Sequence, residues 1–288
     1  MKPSSFDRLA SLLQAGSGLA IGPDKTYLLE SRLTPLLSAH GLTSLDALAE
    51  RLRPLAQGAP PQGLELDVIE AMTTNESFFF RDEKPFTHFR VHTLPRLLAT
   101  RPAQARLRIW SAAASTGQEA YSLAMILADS QAQLAGRSVE IIGTDLSRDA
   151  VARAQEGLYT QFEVQRGLPI QNLVKYFRKE GTQWRIADQL RAAVQFRSLN
   201  LLGDLRGLGS FDVVFCRNVL IYFDQPTKAR VLDAIARQMP QDGVLYLGGA
   251  ETVLGISNAF IPQAGERGAY QRSAPTPTAP QRANLAAH

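Results

Sequence analysis

From residue 106 onward, short β-rich runs alternate with helical stretches of about 10–15 residues, and this rhythm constrains the fold more than any other feature of the chain. RLRIWSAAA (106–114) precedes a helical pattern from Gly117 to about Ala128, and SVEIIGTDL (138–146) precedes another from Arg148 to Glu156. AVQFRSLNL, FDVVFCRNVLIYFD, a helix over 226–238 and DGVLYLGG continue the series. Such a series predicts an α/β fold, doubly wound, with a parallel sheet and helices on both faces. Ligands of these sheets sit outside the carboxyl ends of the strands.

The first seventy-odd residues carry helices alone, which predicts a small all-α domain over 1–72. Phe6, Leu9, Leu12 and Leu13 form one helical stripe. A second helix runs from about Asp24 to His40, with Tyr27, Leu28, Leu33, Leu36 and Leu37 apolar, Gly41 as its stop and Pro35 as a kink or break. Ser44 caps a third, GAPPQG (58–63) is a loop, and a fourth helix starts near Leu64. Residues 73–84 form a linker, and Pro85 opens a helix into a domain reaching residue 272. Within 158–200 the alternation breaks: KEGTQWRIADQLRAAVQF predicts a pair of short strands, WRIADQL and AVQF, beside a helix, as an insertion. Residues 273–288, rich in Pro, Ala and Thr, predict a disordered tail or linker.

Composition narrows the setting. Lys+Arg 31 against Asp+Glu 27 leaves a net charge of +4, a weak bias that does not point to nucleic acid. The lone cysteine, Cys216, rules out a disulfide within the chain and suits a reducing compartment. No run nears the roughly 18 apolar residues of a membrane span, and the N-terminus lacks a signal-peptide stretch. A cytoplasmic protein without membrane insertion is expected.

Three strand ends carry polar tips. SAAASTGQEAYS offers small residues where a ligand can approach the backbone; it is not the G-x-G-x-x-G of dinucleotide binders. Glu119 in the next helix start either faces a ligand or answers the helix dipole. Asp145, after EIIGT, either accepts hydrogen bonds from two ribose hydroxyls or caps the helix that follows. Asn218 either faces the crevice or caps its strand. Together the three favour a nucleoside ligand. His88 and His92 have helical i, i+4 spacing but no third ligand, so no metal is expected, and Phe78-Phe79-Phe80 reads as core packing.

MTTNESFFFRDEKPF, RIWSAAASTGQEAYSLAMILAD, GTDLSRDAVARAQEGLY and FDVVFCRNVLIYFD, in that order and spacing, resemble the chemotaxis receptor methyltransferases, the CheR family. The resemblance extends to about Arg272. It implies a helical N-terminal domain, a linker, and a class I (Rossmann-like) methyltransferase domain with a small β-subdomain. The implied cofactor is S-adenosyl-L-methionine, giving S-adenosyl-L-homocysteine, with no metal. The implied activity is esterification of glutamate side chains on the cytoplasmic domains of chemotaxis receptors. The family's Asn-x-Thr-x-x-x-Arg stretch reads here Asn75, Ser77 and Arg81, with Ser for Thr. The resemblance assigns Glu119 to the methionine ammonium, Asp145 to the ribose, Asn200 and Leu201 to the adenine, and Asn218 and Val219 to the rest of the pocket. Arg81 and Tyr222 face the transferred methyl.

Two departures bear on the partner. The loop Glu180-Gly181-Thr182 is shorter than in members that dock on a receptor's C-terminal peptide, so pentapeptide-independent recognition by a monomer is expected. The helix 24–40 carries only Lys25 and Arg32 as strong cations where the family presents a basic face. The rival readings are a nucleic-acid methyltransferase and a non-catalytic cofactor- or nucleotide-binding signalling module.

Overall fold

The computed structural model of the protein describes residues 1–56 and 60–273, so the predicted tail, beyond Ser273, and part of the 58–63 loop lie outside the described residues. The chain opens with α1 (Pro3–Ser17), a single 3-10 turn (Pro23–Lys25), α2 (Thr26–Ala39), α3 (Leu45–Arg51) and α4 (Gly63–Ala71). Their apolar stripes meet in one core around Leu9, Leu13, Leu29, Leu33, Leu48 and Ile69. The Ser44 hydroxyl accepts from the Ala47 N–H, capping α3.

The second helix runs through Pro35 without a break, and Leu36 and Leu37 beyond it still pack on the helical core. Its buried pair is Leu29 and Leu33, one turn apart, while Tyr27 is 62% exposed. The segment is apolar on more than one face, so the periodicity did not reveal which face turns inward.

Residues 84–100 form α5 (Lys84–His88), a π-helical turn (Phe89–Thr93) and α6 (Leu94–Thr100). Then follow β1 (Leu107–Ala112), α7 (Gln118–Asp129), α8 (Gln131–Leu134), β2 (Val139–Asp145), α9 (Arg148–Glu156), β3 (Leu158–Thr160), α10 (Gln161–Gln165) and α11 (Ile170–Tyr176). The chain continues with β4 (Phe177–Glu180), β5 (Gln183–Ile186), α12 (Asp188–Ala193), β6 (Val194–Ser198), β7 (Val213–Cys216), α13 (Gln225–Arg237), β8 (Val244–Leu247), β9 (Phe260–Pro262) and β10 (Ala269–Arg272).

Seven strands form one sheet in the order β6-β2-β1-β7-β8-β10-β9. The first five are parallel, and β10 and β9 add an antiparallel edge, so the sheet is mixed rather than wholly parallel. Alternate residues feed two cores: Val213, Phe215 and Tyr246 on one face, Val214, Cys216 and Leu245 on the other. Burial on both faces is why these strands read as unbroken apolar runs. From β1 the chain winds outward to β2 and β6, then returns to β7 and β8 on the other side. Connections therefore diverge between β1 and β7, opening a crevice at their carboxyl ends.

The insertion is a three-stranded antiparallel sheet, β3-β5-β4. Val194–Ser198, expected as the insertion's second strand, instead pairs in parallel with β2 in the main sheet, and residues 188–193 before it are helical. The insertion's partners are β3 and β4, short strands that carry little alternation of their own.

Candidate active site

The linker lies across the carboxyl ends of the sheet. Arg32 anchors its start: the guanidinium donates to the Met72 and Thr73 carbonyls at 2.8 and 2.9 Å and to the Thr74 hydroxyl at 3.0 Å. Arg32 is thus occupied at the end of α4, where unpaired carbonyls favour a cation, rather than presented to a partner. Further on, the Ser115 hydroxyl donates to the Asn75 carbonyl at 2.7 Å, and the Phe80 N–H donates to the Ser122 hydroxyl at 2.9 Å. Of the three phenylalanines, Phe79 is buried against Tyr159 and Phe177, and Phe80 packs on Phe86. Phe78 lies under the guanidinium groups of Arg81 and Arg166. Arg81 also donates to the Glu76 carbonyl at 3.2 Å.

All ten residues singled out in the sequence line one cleft: Asn75, Ser77 and Arg81 from the linker, Glu119, Asp145, Asn200, Leu201, Asn218, Val219 and Tyr222 from the main domain. Asp145 ends β2, and both its oxygens take backbone N–H donors, Ser115 at 2.7 Å and Ser147 at 2.9 Å. The cap of α9 is Ser147, so Asp145 closes the turn before the helix without capping it. Burial pushes its carboxyl up from the ordinary value, against the pull of those backbone donors.

Glu119, in the first turn of α7, accepts from the Ser111 hydroxyl at 2.8 Å and from the Arg217 guanidinium at 3.0 Å. Burial pushes its carboxyl up as well, and Arg217 and Ser111 oppose that rise. Arg217 itself is 1% exposed in its side chain and reaches the Asp82 carboxylate and the Arg81 carbonyl, both at 2.7 Å. It therefore ties the linker to α7. Its Nε is buried without a hydrogen-bond partner. Burial raises the neighbouring Cys216 thiol well above its usual value, which makes it a poor nucleophile.

The helical domain supplies part of the wall. Ser17, Leu19, Ile69 and Met72 line the cleft. The Asn200 side-chain amide donates to the Gly16 carbonyl, and the Ala20 N–H donates to the Tyr222 carbonyl at 3.0 Å. Arg148, just past Asp145, pairs with Glu70 at 2.7 Å and Asp67 at 3.0 Å across the two domains.

Backbone strain marks the same place. Among the described residues, the non-glycine residues at positive φ are Phe80, Asp82, Glu83, Ala113, Ser115, Ala135 and Asn218. All but Ala135 lie in the linker, in the turn after β1, or directly after β7. Such conformations cost of order 1–3 kcal/mol each and persist where surrounding structure enforces them. Sequence reasoning missed Arg217, Ser115 and the helical-domain wall. Of these only Arg217 left a signal, as a charge at the end of an otherwise apolar strand. His88 and His92 do not line the cleft; their rings lie tilted to each other with centroids 5.1 Å apart, and the His88 ring meets the Tyr246 hydroxyl. Among the described residues no group of three or more His, Cys, Asp or Glu could hold a metal ion, and no helix is long and apolar enough to cross a membrane.

Comparison with known proteins agrees with this geometry. The profile of the CheR methyltransferase SAM binding domain matches residues 75–268, and that of the CheR methyltransferase all-alpha domain matches residues 4–57. The chain is 37% identical over 259 residues to the chemotaxis protein methyltransferase Cher2 of Pseudomonas putida, covering 88% of this chain and 92% of that one. It is 39% identical over 261 residues to chemotaxis protein methyltransferase 1 of Pseudomonas aeruginosa, covering 89% and 93%. The chemotaxis protein methyltransferase of Vibrio anguillarum is 38% identical over 251 residues. With both of its domains matched in order, and a cleft where the linker crosses the strand ends, this chain belongs to the CheR family of S-adenosylmethionine-dependent methyltransferases.

Proposed function

We propose that the protein methylates glutamate side chains on the cytoplasmic domains of chemotaxis receptors, working in the cytoplasm as a monomer. The observation that carries this reading is the convergence of linker, strand ends and helical domain on one cleft lined by Arg81, Glu119, Asp145 and Tyr222. When bound, S-adenosylmethionine supplies a methyl group made electrophilic by its sulfonium. The residues present fit such a group. Asp145 accepts the ribose hydroxyls and Glu119 the ammonium. Asn200 and Leu201 border the adenine, and Asn75, Ser77, Asn218 and Val219 close the pocket.

A glutamate carboxylate, with a reference pKa of about 4.3, arrives ionised at neutral pH and needs no general base. The work of the chain is alignment and exclusion of water. Arg81 offers a fork of donors to orient the carboxylate, and Tyr222 limits the approach to the methyl. A contact that is too tight would blunt the nucleophile, and Arg81 already divides itself between Phe78 and the Glu76 carbonyl. Incubation with tritiated cofactor and receptor cytoplasmic fragments tests the reading. Base-labile label on the receptor supports it; label on RNA, or no label, overturns it.

Cofactor affinity should depend on pH. Glu119 and Asp145 hold their protons to a higher pH than free carboxyls, and an ammonium or hydroxyl donor favours their ionised forms. Affinity should therefore fall as pH is lowered through the raised range of these carboxyls, with protons released on binding. Calorimetry in buffers of different ionisation heat measures that release. An affinity and heat independent of both would refute the linkage.

Recognition should not require a receptor's C-terminal pentapeptide. The β4–β5 turn is only Gly181-Thr182, and the edge strand β4 carries the exposed charges Arg178, Lys179 and Glu180. Charged edges discourage an added strand, the usual means by which a sheet captures an extended peptide. Adding free pentapeptide should leave the methylation rate unchanged. Micromolar binding in a direct titration would show a tethered enzyme instead.

A further inference from the structure

The loop that follows β7 is built around a carboxylate to which nothing above gives a role. Glu251 lies just beyond β8 and is 9% exposed. Its two oxygens accept four backbone N–H groups. Oε2 takes Asn218 at 2.8 Å and Gly248 at 2.7 Å, and Oε1 takes Val219 at 3.0 Å and Ile221 at 3.3 Å. Among the described residues no cationic side chain pairs with it, so amides alone hold the charge. Asn218 stands at φ +58°, with Val219 next at φ −121° and ψ −38°. Such a change of backbone hand points successive N–H groups to one side and forms a concavity that binds anions. Gly248 completes the packing. A Cβ there would sit 2.8 Å from Glu251 Oε2 and 2.7 Å from Asn218 Nδ2.

We propose that Glu251 is a positioning residue: it is the internal anion around which the 218–222 loop folds, and it sets Asn218, Val219 and Tyr222 before any ligand arrives. The inference rests on the methyl-transfer reading for what those three residues then do. Left empty, the concavity would draw an outside anion such as a substrate carboxylate to an unproductive place. Filled from within, it spends its donors on holding the loop. The positive φ of Asn218 is then explained, because the four hydrogen bonds enforce it. Glutamine cannot substitute, since its amide nitrogen would face two N–H donors instead of accepting from them.

Steady-state methylation by Glu251→Gln and Glu251→Asp, with amide exchange on the wild-type protein, tests the proposal. In the Gln variant kcat should fall by about tenfold or more while the receptor KM moves by less than about threefold; the Asp variant, which keeps the charge, should recover part of the loss. A wild-type kcat in the Gln variant, with only a lower unfolding temperature, would reduce Glu251 to a stability role and overturn the proposal. If the Gln variant does not fold, exchange in the cofactor-free wild type decides. The amides of Asn218, Val219, Ile221 and Gly248 should already be protected. Protection that develops only when cofactor is added would mean that the ligand, not Glu251, forms the loop. Failure of the methyl-transfer reading is separate: wild-type protein would then not label receptors, whatever these four amides do.

Discussion

Replacing Arg81 by Ala is expected to lower receptor methylation by about 100-fold or more, while cofactor affinity falls by less than about tenfold. The asymmetry follows from how the linker is held. The Arg81 carbonyl is bound by Arg217, and the flanking Phe80 N–H by Ser122, so the linker keeps these two ties when the Arg81 side chain and its bond to the Glu76 carbonyl are lost. What the substitution removes is the guanidinium fork above Phe78, the group available to orient a carboxylate. Misplacement of a reacting group by about 1 Å can cost 100-fold, which sets the expected size. Arg81→Lys should recover little, because an ammonium lacks the planar pair of donors. Turnover of both variants by label transfer, beside affinity by calorimetry, reads the split directly. Wild-type turnover in the Lys variant would remove Arg81 from the reacting centre.

Asp145→Ala should weaken S-adenosylmethionine binding by roughly 10- to 150-fold, since hydrogen bonds to a charged group are worth about 1.5–3 kcal/mol. The substitution also strips the acceptor from the Ser115 and Ser147 N–H groups, so a lower unfolding temperature should accompany it. Asp145→Asn separates the two effects. Its carbonyl oxygen can still satisfy one backbone donor, but its amide nitrogen cannot accept a ribose hydroxyl. A loss of affinity in both variants, with the smaller loss of stability in Asn, assigns Asp145 to the ribose. Unchanged affinity in the folded Asn variant would leave Asp145 as the closure of its turn.

Much of this arrangement was legible in the chain because it is local. The strand runs 107–112, 139–145 and 213–216 are mostly apolar since the sheet is covered on both faces, and polar residues at or just past their carboxyl ends mark where that cover stops. Asp145 and Asn218 stand at those ends and could be singled out by position. The linker motif, Asn75 to Arg81, is likewise contiguous, and its positions carry over one by one.

Neighbouring residues settle among themselves the helical start, the alternation, the polar strand tips and the family. Which distant groups share one charge or one wall depends on contacts made across the fold. Val194–Ser198 is as strand-like as WRIADQL, yet parallel pairing with β2 places it in the main sheet, because a strand's partner is set by pairing with residues distant in the chain. Arg32 has the spacing of an exposed helix cation, but the bare carbonyls at the end of α4 claim it from 40 residues away. Glu251 has no motif around it at all. Its role exists because the fold brings four amides from the segments that follow β7 and β8 within reach of one buried carboxylate, where low dielectric makes charge and donors depend on each other.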